Sequence, residues 1–207
     1  VGITHGDVNG ISYELIIKLL AENRICELCV PILYGSPKVA AYYRKVLNIE
    51  NFSLNTIREP GEANGKRSNI INCVDDNVKV DLGKETPESD QATMVALKYA
   101  LDQLDRDEID VLTLAPQGPN AFFTEEAGSL VEYLGKRYNT TDIMSILVSE
   151  KIKMGFVTEQ VKLRDVPHQV TQKNIFKKLT LLDDTLRQDF TILKPKIAVL
   201  GLNPQVN

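Results

Sequence analysis

Val1-Gly2-Ile3-Thr4-His5-Gly6-Asp7-Val8-Asn9-Gly10-Ile11-Ser12-Tyr13-Glu14 opens the chain, and its reading decides the fold. Residues 1–4 have strand character, a loop with two glycines follows, and residues 14–21 have helical character. A strand that empties through a tight loop into a helix is the first half of a β-α-β unit. Gly6 and Gly10 permit the backbone bend. Asp7 and Glu14 bring carboxylates toward the carboxyl end of the strand, where open α/β sheets collect ligands. An ordinary βα turn accounts for the same residues, with Asp7 capping free amides and Glu14 balancing the helix dipole, so spacing alone leaves both readings open. His5 lies at the same end, placed either to touch an anionic group or to cap its own loop.

The alternation continues outward. Residues 30–34 read as the next buried strand, and Ser36-Pro37 starts a helix running to about Leu47, with Ser36 as cap and Pro37 in the first turn, where a missing N–H costs nothing. Pro60, Gly61, Asn64 and Gly65 mark residues 58–69 as an exposed, poorly ordered loop before a short strand at 69–73. From 88 to 106, Met94, Leu97, Ala100, Leu101 and Leu104 recur at three- and four-residue steps, the apolar stripe of a long amphipathic helix. Residues 111–114 form a strand that ends in Ala115-Pro116-Gln117-Gly118-Pro119. Residues 143–148 and 154–158 read as adjacent strands. Thr171 caps a helix whose Ile175, Leu179, Leu182 and Leu186 face a sheet. A last strand is expected at 196–200, running into Gly201-Leu202-Asn203-Pro204. Two α/β domains follow, residues 1–110 and residues 111–207, the second incomplete at its C-terminus. A start at Val1 without methionine points to residues missing ahead of it.

Composition narrows the function. A formal charge of -4, with lysines scattered among acids, gives no basic stripe for a phosphate backbone, so nucleic acid is not an expected partner. No apolar run approaches the roughly 20 residues of a membrane-spanning helix, and no signal-peptide pattern is present. Three cysteines make an odd set for a disulfide framework and fit a reducing compartment, so a cytoplasmic protein is expected. Cys26 and Cys29 have C-x-x-C spacing, but no second pair completes four zinc ligands, and both read as small core thiols. Gly61-Glu62-Ala63-Asn64-Gly65-Lys66 is one residue short of a phosphate loop, and Arg67 follows where Ser or Thr is needed, so it reads as a surface turn. His168 reads as a surface histidine.

The opening stretch is similar to the pattern T-x-G-[DE]-P-A-G-I-G-P-E, matching at Thr4, Gly6, Asp7, Gly10, Ile11 and Glu14 and departing at Val8, Asn9, Ser12 and Tyr13. Further partial matches follow in order at 111–116, 132–134, 158–165 and 202–204. On these residues the chain resembles the 4-hydroxythreonine-4-phosphate dehydrogenase family. The resemblance implies a three-layer α/β/α fold of the isocitrate and isopropylmalate dehydrogenase type and a homodimer with its site in an interdomain cleft. It implies oxidation of a phosphorylated small molecule, 4-phosphooxy-threonine, by NAD or NADP with loss of carbon dioxide, for pyridoxal phosphate biosynthesis. It also implies a divalent metal (zinc, magnesium or manganese) held by three histidines, which polarises the reacting oxygens.

The departures bear on that chemistry. Where the family has T-T-H-[LIV]-P-[LV]-R-[DE], this chain keeps Thr158, Leu163, Arg164 and Asp165 but has Gln160 at the histidine position. Where the family has N-P-H-A-G, Asn203 and Pro204 lead to Gln205. An amide oxygen is a weaker donor than imidazole to zinc or a similar ion. The family's G-H-T-E-[FY]-[LI] resembles Ser129 to Leu134, with Leu130 and Val131 in place of the His-Thr pair. T-A-P-[IV]-[NH]-K resembles residues 114–119 without its lysine. The resulting expectation is a family member with impaired activity, no metal ligand and no catalytic residue retained, and Asp7, Glu14, Arg164 and Asn203 as ligand-binding candidates. The alternative is a noncatalytic binding or assembly protein that keeps the scaffold.

Overall fold

A computed structural model describes residues 1–22, 24–118, 120–122, 128–159 and 161–203. Gln160 and Gln205, together with Pro119 and Pro204, lie outside the described residues. The chain divides into two compact units, Val1–Gly128 and Ser129–Asn207.

The first unit carries β1 (Gly2–Thr4), α1 (Ser12–Ala21), α2 (Ile25–Leu28), β2 (Ile32–Gly35), α3 (Pro37–Val46), β3 (Asn55–Ile57), β4 (Asn69–Asn72), α4 (Pro87–Asp105) and β5 (Leu112–Leu114). The strands form one sheet in the order β3-β4-β2-β1-β5. Every pairing is parallel, with Ile3 opposite Leu33 on one side and Thr113 on the other, and Leu33 opposite Ile70. Period-two alternation sends side chains to two faces. Ile3, Leu33 and Ile70 join Ile16, Ile17 and Tyr43 in one cluster, while Ile32, Tyr34 and Ile71 pack with Ala100 in another. The sheet is thus covered by α1 and α3 on one face and α4 on the other, the three-layer arrangement expected. Ile17, Leu33 and Ile70 are 0% exposed, and full burial of such side chains stabilises by about 1.5–3 kcal/mol each.

Local chemistry sets the helix starts. The Ser36 hydroxyl accepts from Val39 N at 3.3 Å and Pro37 opens α3. Thr86 does the same for α4, accepting from Ser89 N at 3.2 Å ahead of Pro87. The α4 stripe is shifted from its expected line: Ala92, Ala96, Leu97, Ala100 and Leu101 are buried, while Met94 and Leu104 are half-buried.

Four expectations need correction. Residues 112–114, assigned to a second domain, hydrogen-bond to β1 and belong to the first unit, which extends to Gly128 rather than 110. Residues 58–69 are not exposed throughout: Pro60, Ser68 and Asn69 are buried, and Asn69 Oδ1 accepts from Asn64 N and Asn55 Nδ2, each at 2.9 Å, while its Nδ2 donates to three carbonyls. Helix α1 starts at Ser12, two residues before Glu14. Residues 196–200 form no strand, because no described strand pairs with them, and Val199 and Leu200 are 60% and 84% exposed.

The second unit contains α5 (Leu130–Arg137), β6 (Ile146–Val148), β7 (Lys153–Gly155), α6 (Val166–Gln169) and α7 (Gln172–Gln188). β6 and β7 are adjacent as expected but antiparallel, closed by a bond from Ser149 N to Ile152 O at 2.9 Å. Thr171 caps α7 through Asn174 N. Among the described residues no helix is long and apolar enough to cross a membrane.

Candidate functional site

In the first unit the chain passes to opposite sides of β1 to form β2 and β5, so the carboxyl end of β1 is the switch point where parallel sheets collect ligands. The loop from Gly6 to Ile11 sits there. Gly6 has φ of 65°, and a Cβ on it would lie 2.2 Å from Pro116 O, so close approach of the loop to the segment after β5 requires glycine. That approach is fastened by Asp7 N donating to Pro116 O at 2.9 Å and by the Ser12 hydroxyl donating to the same carbonyl.

Asp7 is half-buried and largely occupied: its Oδ1 accepts from Asn9 N at 2.8 Å and from the Ser89 hydroxyl at 2.5 Å. Asp7 Oδ1 thus closes a turn onto Asn9, while α1 itself starts without a side-chain cap. Glu14 pairs with Lys18 one turn on, at 2.5 Å, on the outer face of α1. No hydrogen bond joins the two carboxylates among the described residues, yet both act on Tyr43. Its hydroxyl donates to Val8 O at 2.6 Å, and burial, then Asp7, Tyr42 and Glu14, push its pKa up to about 12. Burial raises the Asp90 carboxyl as well, reinforced by Asp7 and Glu85.

His5 is a buried side chain at the carboxyl end of β1. It is 0% exposed, its Nε2 lies 3.2 Å from Ala92 O, and its ring stacks on Tyr13 at 5.6 Å. A carbonyl can only accept, so Nε2 carries the proton, and Nδ1 finds no hydrogen-bond partner among the described residues. Burial lowers its pKa to about 4. Tyr13 in turn stacks on Tyr43 at 5.4 Å and accepts from Ser36 N at 3.0 Å. A Cβ at Gly35 would fall 2.6 Å from the Tyr13 hydroxyl oxygen.

In the second unit a concavity of about 740 Å³ is lined by pieces of three sequence segments, including Val131 and Glu132 of α5, Thr158 and Glu159, and Lys177 and Lys178 of α7. Its size suits a small ligand. Glu159 accepts from Ser145 N at 3.0 Å and from the Ser145 hydroxyl, with Lys178 Nζ at 3.9 Å. Lys178 Nζ also donates to Ile143 O at 2.5 Å. Lys177 pairs with Asp142 and donates to Thr141 at 2.6 Å, which holds the Asp142 carboxyl below its usual range. Lysines, amides and hydroxyls share this wall with Val131, Ile143, Val157 and Val161 and with the carboxylates of Glu132 and Glu159.

The remaining candidates lie apart. Arg164 sits in a 3₁₀ turn, Leu163–Asp165, with its side chain 78% exposed beside Asp165. Asn203 is exposed near the end of the described chain. The sequence reading missed Glu159, Lys177 and Lys178, although Asn174, Lys177 and Lys178 at three- and four-residue steps mark one polar face of α7. Cys26, Cys29 and Cys73 are free and half-buried, not fully buried. Gly61 and Gly65 lie on an exposed turn, as read, and His168 is exposed.

The metal implied by the family pattern was tested on donor chemistry. Two of its three imidazole positions carry Gln160 and Gln205, whose neutral amides match an N-donor site for zinc poorly. The residues present do not fit the group.

Comparison with known proteins follows the same lines. The profile of the family described as "Pyridoxal phosphate biosynthetic protein PdxA" matches residues 27–207. A 4-hydroxythreonine-4-phosphate dehydrogenase of Bacteroides thetaiotaomicron is 39% identical over 99% of this chain and 57% of its own length. One from Aquifex aeolicus is 31% identical over 99% of this chain and 62% of its own. The crystal structure of a 4-hydroxythreonine-4-phosphate dehydrogenase from Burkholderia phymatum superposes with a TM-score of 0.79 at 21% identity, over 98% of this chain and 62% of that one. The chain therefore spans about three fifths of the length of the relatives it matches.

Proposed function

Because the chain belongs to the PdxA family of pyridoxal phosphate biosynthetic proteins, we propose that it serves the 4-hydroxythreonine-4-phosphate dehydrogenase reaction, with turnover far below that of its relatives. The observation that carries the reaction class is the 39% identity to a dehydrogenase across nearly the whole chain. The substrate class is a small phosphorylated hydroxy acid. NAD or NADP would accept hydride from its carbinol carbon, the hydroxyl proton would pass to a base, and the resulting β-keto acid would lose carbon dioxide.

Low turnover is supported by what the chain offers this substrate. Gln160 and Gln205 stand where the family resemblance implies imidazole donors, which weakens any hold on a metal ion. Leu130 and Val131 replace a hydrogen-bonding pair, and polar substrate groups facing them would be desolvated without partners. What remains is binding. Lys177 and Lys178 border the second-unit concavity and suit the substrate's phosphate or carboxylate, while the Asp7 loop shapes the carboxyl end of β1. A homodimer is part of the proposal, as the family resemblance implies, and a cytoplasmic setting accords with three free thiols.

The test is NADH or NADPH formation at 340 nm from 4-phosphooxy-threonine with added zinc, magnesium or manganese, alongside calorimetric binding of the same substrate. Saturable binding with slow, substrate-dependent turnover is expected. Robust turnover overturns the low-activity reading, and absence of saturable binding overturns the substrate class.

A further inference from the structure

Between β4 and α4 the chain runs from 73 to 86 without helix or strand. Its second half crosses the switch point. On the β1 side it meets Asn9, which is 2% exposed. Asn9 Oδ1 accepts from Asp81 N at 2.8 Å, and Nδ2 donates to Lys84 O at 3.0 Å and to the Thr86 hydroxyl at 3.1 Å. The Asn9 backbone carbonyl accepts from Gly83 N at 2.8 Å. On the β5 side Glu85 accepts from Asn120 Nδ2 at 2.8 Å. At its two ends Val80 packs against the core and Thr86 caps α4, while between them Leu82 is 53% exposed and Gly83, with φ of 74°, turns in open space.

We propose that residues 79–86 form a strap latched across the carboxyl ends of β1 and β5 by the Asn9 carboxamide, releasing locally to open the Asp7 loop while the sheet stays folded. Three features carry this. The anchor is one buried side chain whose donor and acceptor capacity is spent on the strap. The strap spans the loops following two adjacent strands, so it covers the place where a ligand would enter. Beyond the half-buried Val80, residues 82–85 are exposed, so packing contributes little to holding that stretch down, and segments of that kind open at low free energy. Asn9 is also one of the positions at which this chain departs from the dehydrogenase pattern, which makes the latch a property of this sequence. The strap stands independently of the reaction class proposed above; only the identity of what enters rests on that reading.

Native-state hydrogen exchange on the whole chain tests it. In the unmodified protein the Asp81 and Gly83 amides should be protected yet exchange with little dependence on urea, while the amides of β1 and β2 exchange only through unfolding. Asn9→Ala should speed both strap amides by about tenfold or more, the effect of losing about three neutral hydrogen bonds. Gly83 is the informative amide, because its own acceptor, the Asn9 carbonyl, survives the substitution. Glu85→Ala, which releases the other anchor, should speed them less. Urea dependence of Gly83 exchange equal to that of the β2 amides overturns the proposal, with or without a folded variant. So does wild-type protection of Gly83 in Asn9→Ala.

Discussion

Lowering the pH should destabilise the first unit through His5. Its pKa falls from 6.5 to about 4 because burial disfavours the imidazolium. The unfolded chain therefore takes up a proton near pH 6.5 that the folded chain refuses until about pH 4. Stability is fully present above 6.5, declines as pH falls through this window, and levels off below 4. A shift of this size corresponds to about 3 kcal/mol at the bottom of the window, a large share of a typical domain's stability. The assay is urea unfolding at pH 7.5, 5.5 and 4.5, followed by near-ultraviolet circular dichroism of the buried Tyr13, Tyr34 and Tyr43. His5→Gln serves as reference, since its amide can still donate toward Ala92 O. Wild type should lose about 2–3 kcal/mol more than His5→Gln between pH 7.5 and 4.5. Equal pH dependence in the two proteins would refute the reasoning, because it would mean that the folded state accommodates the charged ring.

Two packing predictions accompany it. Tyr13→Phe leaves the Ser36 N–H, on a residue 0% exposed, without its acceptor and should lower the unfolding free energy by about 1–3 kcal/mol; an unchanged urea midpoint would show that another acceptor takes over. Leu97→Ala, at a position 1% exposed on α4, should cost about 2–5 kcal/mol, whereas Met94→Ala, half-buried on the same helix, should cost clearly less. Equal losses at 94 and 97 would contradict the observed orientation of the helix.

The legible parts of the fold were those written in local chemistry. Ser36-Pro37 and Thr171 marked helix starts that the structure keeps, and the apolar runs of β1, β2 and β4 were long enough to be read as buried strands. β3 was missed because Asn55-Thr56-Ile57 has one apolar residue, and its pairing with β4 is a nonlocal event. The antiparallel hairpin of β6 and β7 was visible as two strands, but direction depends on the turn between them. The candidate site was only partly legible. Asp7 was found from the glycine loop, but its use as an acceptor for Ser89, 82 residues away, has no sequence signature. His5 offered two readings, contact with an anionic group or a cap of its own loop, because it ends a strand; its depth of burial depends on the stacking with Tyr13 and the covering helix α4, which are nonlocal. Lys177 and Lys178 drew no reading, since periodicity reports which side of α7 is apolar and not what the polar side borders.

The proposal turns on amides standing at two positions where the family resemblance implies cation-binding imidazoles. Zinc titration by equilibrium dialysis, comparing the chain with its Gln160→His/Gln205→His variant, tests that claim most directly. The unmodified chain should retain no stoichiometric zinc at micromolar concentrations, and the double variant should gain affinity by at least about tenfold, since imidazole suits zinc better than an amide. Tight stoichiometric zinc on the unmodified chain, abolished by Gln160→Ala or Gln205→Ala, would contradict the account.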